Sequence, residues 1–528
     1  MVPISAIFLT LLPVVSLILV SFLSSSTSSS TDESFFHCLN ASQQIYSPNT
    51  TSYSSLLSSY HENIRTSSFR APKPFVIVTP NLESEIQAAL LCSKKHGFKI
   101  RIRSGGHDYE GLSTTSNVPF IIIDLVNFRK ITIDMDDETA WIQAGATLGE
   151  VYYAIANRSS VHAFPAGICP TVGVGGHISG GGFGTMLRKY GLASDNVVDA
   201  YLMDVNGKIL NRKSMGEDLF WAIRGGGGAS FGIILSWKIK LVNVPPKVTV
   251  FTIGKTLDQG ATKLLEKWQH VAYKLDANLF IRALVQIVHG KKGEKNIRIS
   301  FNSLFLGSIQ ELIPLMKTSF PELGLVSEDC IEMSWIKSTL YFGFYGARNG
   351  DPIDILLNRT HSDKSFFKGK SDFVKEPISE NVFEGIWKMF LDEEIAFMIM
   401  DPYGGKMSKI SESETSFPHR ADYLYNIQYL VKWEREGHGS AKKHVEWLRK
   451  LYMYMSAHVS HSPRVAYLNY RDLDLGKDVA VGNISYIKAK VWGEKYFNKN
   501  FNRLALVKGM VDPDNFFKNE QSIPPLSA

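Results

Sequence analysis

Gly167-Ile168-Cys169-Pro170-Thr171-Val172-Gly173-Val174-Gly175-Gly176-His177-Ile178-Ser179-Gly180-Gly181-Gly182-Phe183-Gly184 is the stretch on which the reading of this chain turns. Such a density of glycine costs chain entropy and forgoes side-chain packing, which makes sense where backbone N–H groups converge on an anion such as a pyrophosphate. A cofactor cradle is implied. The chain has no strict G-x-G-x-x-G followed by an acidic residue, so an ordinary Rossmann dinucleotide site fails on spacing. A flexible glycine loop without a ligand is the plainer alternative, and the embedded Cys169, His177 and Ser179 weigh against it.

Upstream, Phe98, Ile100 and Ile102 alternate as a strand that runs into Ser104-Gly105-Gly106-His107, placing an imidazole at a strand-to-turn junction. Taken singly, His107 reads as a structural histidine and Cys169 as a small core residue. Together, in glycine-flanked turns, they suit covalent bonding to an electrophilic ring. Around them the pattern predicts strands at 75–78, 120–125, 131–135 and 141–144, a helix with its stripe on Leu82, Ile86, Ala89 and Leu90, and a helix over 147–157. Pro245-Pro246 marks a boundary. Beyond it, strand-like runs at 279–288 and 297–306 alternate with helices such as 309–318, and a strand-turn-helix unit begins near Arg464. The expected organisation is a signal peptide 1–24, an arm 25–72, a cofactor domain 73–246, a substrate domain 247–459 and a C-terminal segment 460–528.

The 528 residues are 44% apolar and 20% charged, and a net charge of +6 is spread without basic blocks. That describes a globular protein of more than one lobe and argues against a nucleic-acid surface. The apolar opening, followed by the serines 24–26 and 28–30, reads as a cleaved signal, with an uncleaved anchor as the alternative; no later segment spans a membrane. Sequons at Asn40, Asn49, Asn157, Asn358 and Asn483 fit a secretory route to the apoplast, cell wall or vacuole. Cys38 and Cys92 could form a disulfide pinning the arm to the first helix, and Cys330 reads as a buried free thiol. No cysteine or histidine spacing suits zinc, so no metal is expected.

Gly228-Ala229-Ser230-Phe231-Gly232 matches the G-x-S-x-G nucleophile elbow literally. An elbow needs a helix after the turn, whereas Ile233 to Val242 reads as a strand, so a hydrolase is set aside. In Tyr467-Leu468-Asn469-Tyr470-Arg471-Asp472-Leu473-Asp474-Leu475-Gly476, a strand-like run sends Tyr470 and Asp472 to one face and Arg471 to the other. A phenol with pKa near 10 is a useful base only where its surroundings favour phenolate.

Arg101-Ile102-Arg103-Ser104-Gly105-Gly106-His107-Asp108-Tyr109-Glu110-Gly111, the Cys169 segment and Asn469-Tyr470-Arg471-Asp472 together resemble the berberine bridge enzyme-like family. The resemblance implies an α+β, vanillyl-alcohol-oxidase-type (PCMH-type) FAD-binding domain plus a substrate domain with an antiparallel sheet. It implies bicovalent FAD, 8α-histidyl through His107 and 6-S-cysteinyl through Cys169. Further cofactor contacts implied are Arg103, Ser104, Gly105, Gly106, Asp108, Gly173, Gly175, Gly176, His177, Ser179, Gly180, Gly181, Gly182, Ile234 and Asn469. Val172 resembles the family's oxygen gatekeeper in members that react readily with oxygen. Tyr470 resembles the base of the cannabinoid-forming oxidocyclases and His289 their substrate-contacting histidine. Tyr190, Tyr403 and Gln428 match pocket positions in other relatives. Asn426 stands where many monolignol-oxidising members have lysine, which makes monolignols less suitable substrates.

The expected activity is therefore a monomeric secreted oxidase that takes a small phenolic, prenylated in one version, and passes hydride to flavin and electrons to molecular oxygen. Ring closure can follow. Cycloaddition on the same scaffold without net redox, carbohydrate or monolignol oxidation, and a non-enzymatic surface protein are the alternatives.

Overall fold

The computed structural model describes residues 33–39, 44–59, 62–67, 72–291, 293–344, 351–360, 364–434, 438–478 and 485–527. The signal segment 1–24, Asn40 and Asn483 lie outside these described residues. Strands β1 (Ile45–Tyr46), β2 (Ile77–Val78), β3 (Lys99–Arg103) and β4 (Phe120–Asp124) form one sheet in the order β1-β2-β4-β3. Its central strand β4 is buried along its whole length, with Ile121 and Ile123 in the main core and Phe120 and Ile122 in a smaller cluster on the other face. That two-sided burial is why the run is continuously apolar. The helix Glu83–His96 buries Ile86, Ala89 and Leu90, while Leu82, expected in the same stripe, is the exposed residue that precedes the first turn. A disulfide joins Cys38 to Cys92 on this helix.

Next come β5 (Ile131–Asp134), β6 (Thr139–Gln143), β7 (His162–Ala163), β8 (Val197–Met203), β9 (Ile209–Leu210), β10 (Ile233–Lys240) and β11 (Val242–Asn243). Five of them form an antiparallel sheet, β5-β6-β10-β8-β9, and β7 pairs with β11. The helix Leu148–Ala156 begins at a capping box in which the Thr147 N–H donates to Glu150 Oε2 at 2.8 Å. The glycine-rich run falls between β7 and β8, where it contributes the short helix Val174–Ser179 and the loop behind it. Gly228–Ser230 is one turn of 3-10 helix leading straight into β10, and the buried Ser230 hydroxyl accepts from the Ile523 N–H at 3.3 Å. No exposed nucleophile is made there.

The largest sheet, of seven strands, is antiparallel throughout. Its strands are β12 (Val248–Thr256), β13 (Leu279–His289), β14 (Lys295–Phe305), β15 (Cys330–Met333), β16 (Phe366–Val374), β17 (Ala396–Pro402) and β18 (Tyr425–Trp433), in the order β15-β12-β14-β13-β17-β18-β16. One face, including Ile281, Phe301, Met398 and Ile427, packs on the helices that carry Trp268 and Trp387. The other presents Thr252, Asn302, Arg282, Leu284, Ile399 and Gln428, aligned by cross-strand register, toward the glycine-rich loop. Cys330 opens edge strand β15 and is half-buried rather than buried, because an edge strand leaves one side uncovered.

Helices Tyr486–Phe497 and Asn500–Val511 return to the N-terminal core through Trp492, Tyr496, Phe501 and Leu504. The preceding run is not a strand. Tyr470 N–H donates to the Tyr467 carbonyl at 3.0 Å, and Asp472 caps a 3-10 turn at Leu473–Leu475. Its polar side chains have stronger partners elsewhere than a ladder would give: Asp472 takes Lys368 and Lys370 of β16, each at 2.6 Å. Lys370 also meets Asp474 at 2.9 Å, Arg449 meets Asp474 at 2.6 Å, and Lys368 meets Glu110, which Arg65 holds at 2.6 Å. Burial alone would raise the Glu110 carboxyl, but Lys368 and Arg65 outweigh it and hold it below the usual range. Asp474 lies far lower still, as Arg449, Lys368 and Lys370 overcome its burial.

A carboxylate whose folded pKa is depressed adds stability above its unfolded pKa, about 4, and loses it as pH falls below that value. The melting midpoint should therefore fall steeply between about pH 5 and pH 3, and the fall should be shallower in Asp474→Asn, as thermal melts across that range will show.

Candidate active site

Strand β3 delivers Ser104 to His107 at its C-terminal end, against the turn that follows Cys169. Ser104 Oγ donates to the Ala144 carbonyl at 2.5 Å. A Cβ on Gly105 would lie 2.2 Å from the Gly173 nitrogen, and one on Gly173 would lie 2.1 Å from Ser104 Oγ. Only paired glycines permit this backbone contact. It brings His107 Nε2 to 3.0 Å from Thr171 Oγ1, while Nδ1 lies 2.6 Å from Glu62 Oε2. The Cys169 turn is closed by the Val172 N–H on the Cys169 carbonyl at 3.2 Å, and the first N–H groups of the helix Leu148–Ala156 hold its Val172 and Pro170 carbonyls, each at 2.9 Å. The Cys169 surface is open, yet the thiol sits deep among protein atoms. Burial first, and then the Glu62 charge, push it up to about 11.

Along the glycine run, Gly176 is exposed and a Cβ there would meet nothing within 4 Å, so the helix Val174–Ser179 turns a bare face to open space. Gly175 is closed in by Ala144, and Ser179 Oγ donates to the Gly175 carbonyl at 2.6 Å. Asn469 fills the space a side chain on Gly180 would need and donates to the His177 carbonyl at 3.0 Å. Gly181 and Gly182 follow with φ of 108° and 73°, and the Gly182 N–H donates to Tyr467 Oη at 3.0 Å. Burial, then His107, lower His177 to about 4. Its Nε2 accepts the Gly167 N–H at 3.0 Å, so the neutral ring carries its proton on Nδ1 and is a donor there. Ile234 is buried at the start of β10, beside Gly228. Arg103 is placed otherwise than expected: its guanidinium is wholly buried, 2.6 Å from Asp124 and donating to the Leu56 and Leu57 carbonyls, so only its backbone could meet a ligand.

A cavity of about 250 Å³ opens where Ile168, next to Cys169, faces the sheet residues Arg282, Leu284 and Ile399 under Tyr341 and Phe342. Tyr470 is stacked on Tyr109 with centroids 5.6 Å apart and edge-on to Phe183 at 6.1 Å, and it feels the charge of the cavity residue Arg282. Gln428 donates to the Tyr109 hydroxyl. Arg282 pairs with Asp401 at 2.7 Å. Burial raises the Tyr470 phenol well above 10, Tyr109 and Asp401 push the same way, and Arg282 opposes them. Tyr403 shares the aromatic cluster around Tyr470. Val172 packs partly buried against the main core.

Two expected pocket residues are elsewhere. The Tyr190 hydroxyl donates to the Asn243 carbonyl of β11. His289 ends β13 half-exposed, 4.0 Å from Glu394, because odd positions of that strand point away from the face bearing Arg282 and Leu284. Glu62, Thr171, Tyr109 and the Arg282–Asp401 pair join these residues without having been expected from the sequence. Arg282 did carry a signal, as the single charge inside the apolar run Leu279–Val288. Arg471, which joins Asp108 at 3.0 Å, ties the C-terminal segment to the His107 loop. Among the described residues no histidine, cysteine and carboxylate cluster could hold a metal ion.

The chain matches a family described as "FAD binding domain" over residues 74–212 and one described as "Berberine and berberine like" over 466–524. It is 54% identical over 525 residues to berberine bridge enzyme-like 22 of Arabidopsis thaliana, covering 97% of this chain and 98% of that one. It is 52% identical over 505 residues to a tetrahydroberberine oxidase of Berberis wilsoniae, covering 94% of each. The crystal structure of Phl p 4, a grass pollen allergen with glucose dehydrogenase activity, superposes with a TM-score of 0.88 at 46% identity, over 94% of this chain and 100% of that one. An isoleucine-to-valine variant of that allergen is a glucose oxidase. The bare helix face at Gly176, the clamped loops and these matches agree: the chain belongs to the berberine bridge enzyme-like family and is an FAD-dependent oxidoreductase.

Proposed function

We propose that this protein is a secreted, monomeric oxidase whose FAD is bonded to both His107 and Cys169 and which dehydrogenates a small phenolic substrate. The observation that carries this reading is the Gly105–Gly173 contact, which holds the His107 loop against the Cys169 turn, whose neighbour Ile168 lines the cavity. The bare face at Gly176 would take the pyrophosphate end, with the glycines around it, at 173, 175 and 180–182, keeping side chains out of the way, and the Nδ1–H of His177 would donate to it. Bound there, FAD supplies a two-electron acceptor that molecular oxygen regenerates, with hydrogen peroxide as by-product. The disulfide and the exposed sequons Asn49, Asn157 and Asn358 support an oxidising secretory route to the apoplast, cell wall or vacuole.

The chain's own residues set the substrate class. Ile168, Leu284, Ile399 and Phe342 give the cavity apolar walls, which favour an aromatic or prenylated substrate over a sugar. Tyr470, in its deprotonated form, takes the phenol proton and so raises the electron density that expels hydride from a benzylic or allylic carbon. Arg282 favours that form and burial opposes it. With Asn426 in place of a cation, no lysine helps. A second reading, cycloaddition by orientation alone, is favoured by the same fact, because it needs no base and Tyr470 holds its proton strongly. Product formed without oxygen and without bleaching of the flavin would favour cycloaddition over oxidation.

Since Tyr470 is active as phenolate and its pKa is raised, flavin reduction by substrate should quicken as pH rises through the alkaline range. Tyr470→Phe should slow reduction by roughly 100-fold or more and abolish that rise while FAD remains attached; anaerobic stopped-flow measures both, and an unchanged rate would remove Tyr470 from the role. Val172→Ile should leave reduction untouched and slow reoxidation by oxygen, and equal peroxide release by variant and wild type would end its part in oxygen access.

A further inference from the structure

We propose that Glu62 is the base through which the chain attaches its own flavin at His107, accepting the Nδ1 proton as that nitrogen bonds to the flavin 8α carbon. This rests on the covalent reading above. Glu62 Oε2 lies 2.6 Å from Nδ1, and the other ring nitrogen is engaged by Thr171 of the Cys169 turn, so each nitrogen has its own partner. Nδ1 is thus the atom with a proton acceptor at hand.

The carboxylate is delivered by fixed backbone. Next to it, Asn63 is buried and donates to the Tyr109 carbonyl at 2.8 Å and the Phe367 carbonyl at 3.0 Å. Arg65 is tied to Glu110, and the Glu62 carbonyl accepts from Ser365 N–H at 3.3 Å. These bonds hold the segment on β16 and on the loop that carries His107 itself. A neutral imidazole N–H is a very weak acid, so bonding at that nitrogen is slow unless a base takes the proton as the bond forms. The N–H bond breaks and its proton goes to Glu62; the 8α carbon loses one hydrogen as a proton and gains the nitrogen; the electron pair of that C–H bond reduces the ring system. Molecular oxygen then takes the two electrons and two protons as hydrogen peroxide. Glu62 does not serve the second bond in the same way, since its charge disfavours the Cys169 thiolate.

The experiment is a proteolytic digest of folded wild type, Glu62→Gln and Glu62→Asp, with flavin-bearing peptides identified by mass. Wild type should give the His107 and Cys169 peptides joined through one flavin. Glu62→Gln should give flavin on the Cys169 peptide alone, with the joined form at least about 10-fold depleted, and Glu62→Asp should restore the joined form. Joined peptides undiminished in Glu62→Gln would overturn the role of Glu62, and so would loss of both attachments together, which marks a structural defect. Wild type without joined peptides would overturn the covalent reading itself.

Discussion

Everything the site can do depends on two backbones touching where neither has a side chain. Gly105 and Gly173 approach so closely that a single methyl on either would collide with the opposing loop. Residues far apart in the chain are thereby held at hydrogen-bond distance, His107 against Thr171. The contact is held from both sides: Ser104 donates to the Ala144 carbonyl, and the start of the helix Leu148–Ala156 binds the carbonyls of the Cys169 turn. Local chain entropy is given up at the glycines, and the surrounding sheet and helix compensate for it.

The C-terminal segment closes the site by a different kind of force. Arg471 on Asp108, Asn469 on the His177 carbonyl, and Asp472 between Lys368 and Lys370 tie it to both loops and to the edge strand of the large sheet. Buried pairs of this kind gain little over apolar residues of the same shape, but they fix one geometry, because any shift strands a charge without its partner. Tyr470 is carried between these ties, so its position relative to Tyr109 and the cavity follows from ion pairs several residues away.

How far the sequence could be read follows from the range of the forces involved. The apolar runs of β4, β10, β13 and β14 and the helix Leu148–Ala156 were legible because periodicity and capping are local. His107, Cys169 and the glycine run were legible because glycine at close approach has no substitute. The run from Tyr467 reads as a strand and folds as turns, since its partners lie on β16 and in the His107 loop, where no local pattern reports them. Strand parity takes His289 away from the pocket, and the register fixing that parity is set by β14 and β17. Tyr190 is held by a similarly distant partner, its hydroxyl donating to the Asn243 carbonyl of β11. Glu62 carried no signal at all; a lone acid in a polar arm is ordinary until the fold lays it against His107.

The cavity side of the large sheet shows what such a site costs. Asn426 is 1% exposed and neither atom of its carboxamide has a partner among the described residues; Asp401 Oδ2 and the Tyr403 hydroxyl are equally buried and unpaired. Asn426 and Asp401 face each other across β17 and β18. Each unsatisfied group of this kind costs about 1–3 kcal/mol. A sheet selected for stability alone would carry apolar side chains there, as its opposite face does with Met400 and Ile427. The asymmetry between the faces, one packed dry against Trp268 and Trp387 and the other carrying polar groups of which some, such as the Asn426 carboxamide, have no partner among the described residues, is what separates scaffold from site in this lobe. It also explains why Arg282 pairs with Asp401 rather than standing alone: a buried cation beside the cavity is tolerable only with a carboxylate against it, and the two then act in opposite directions on a Tyr470 phenol that burial has already raised.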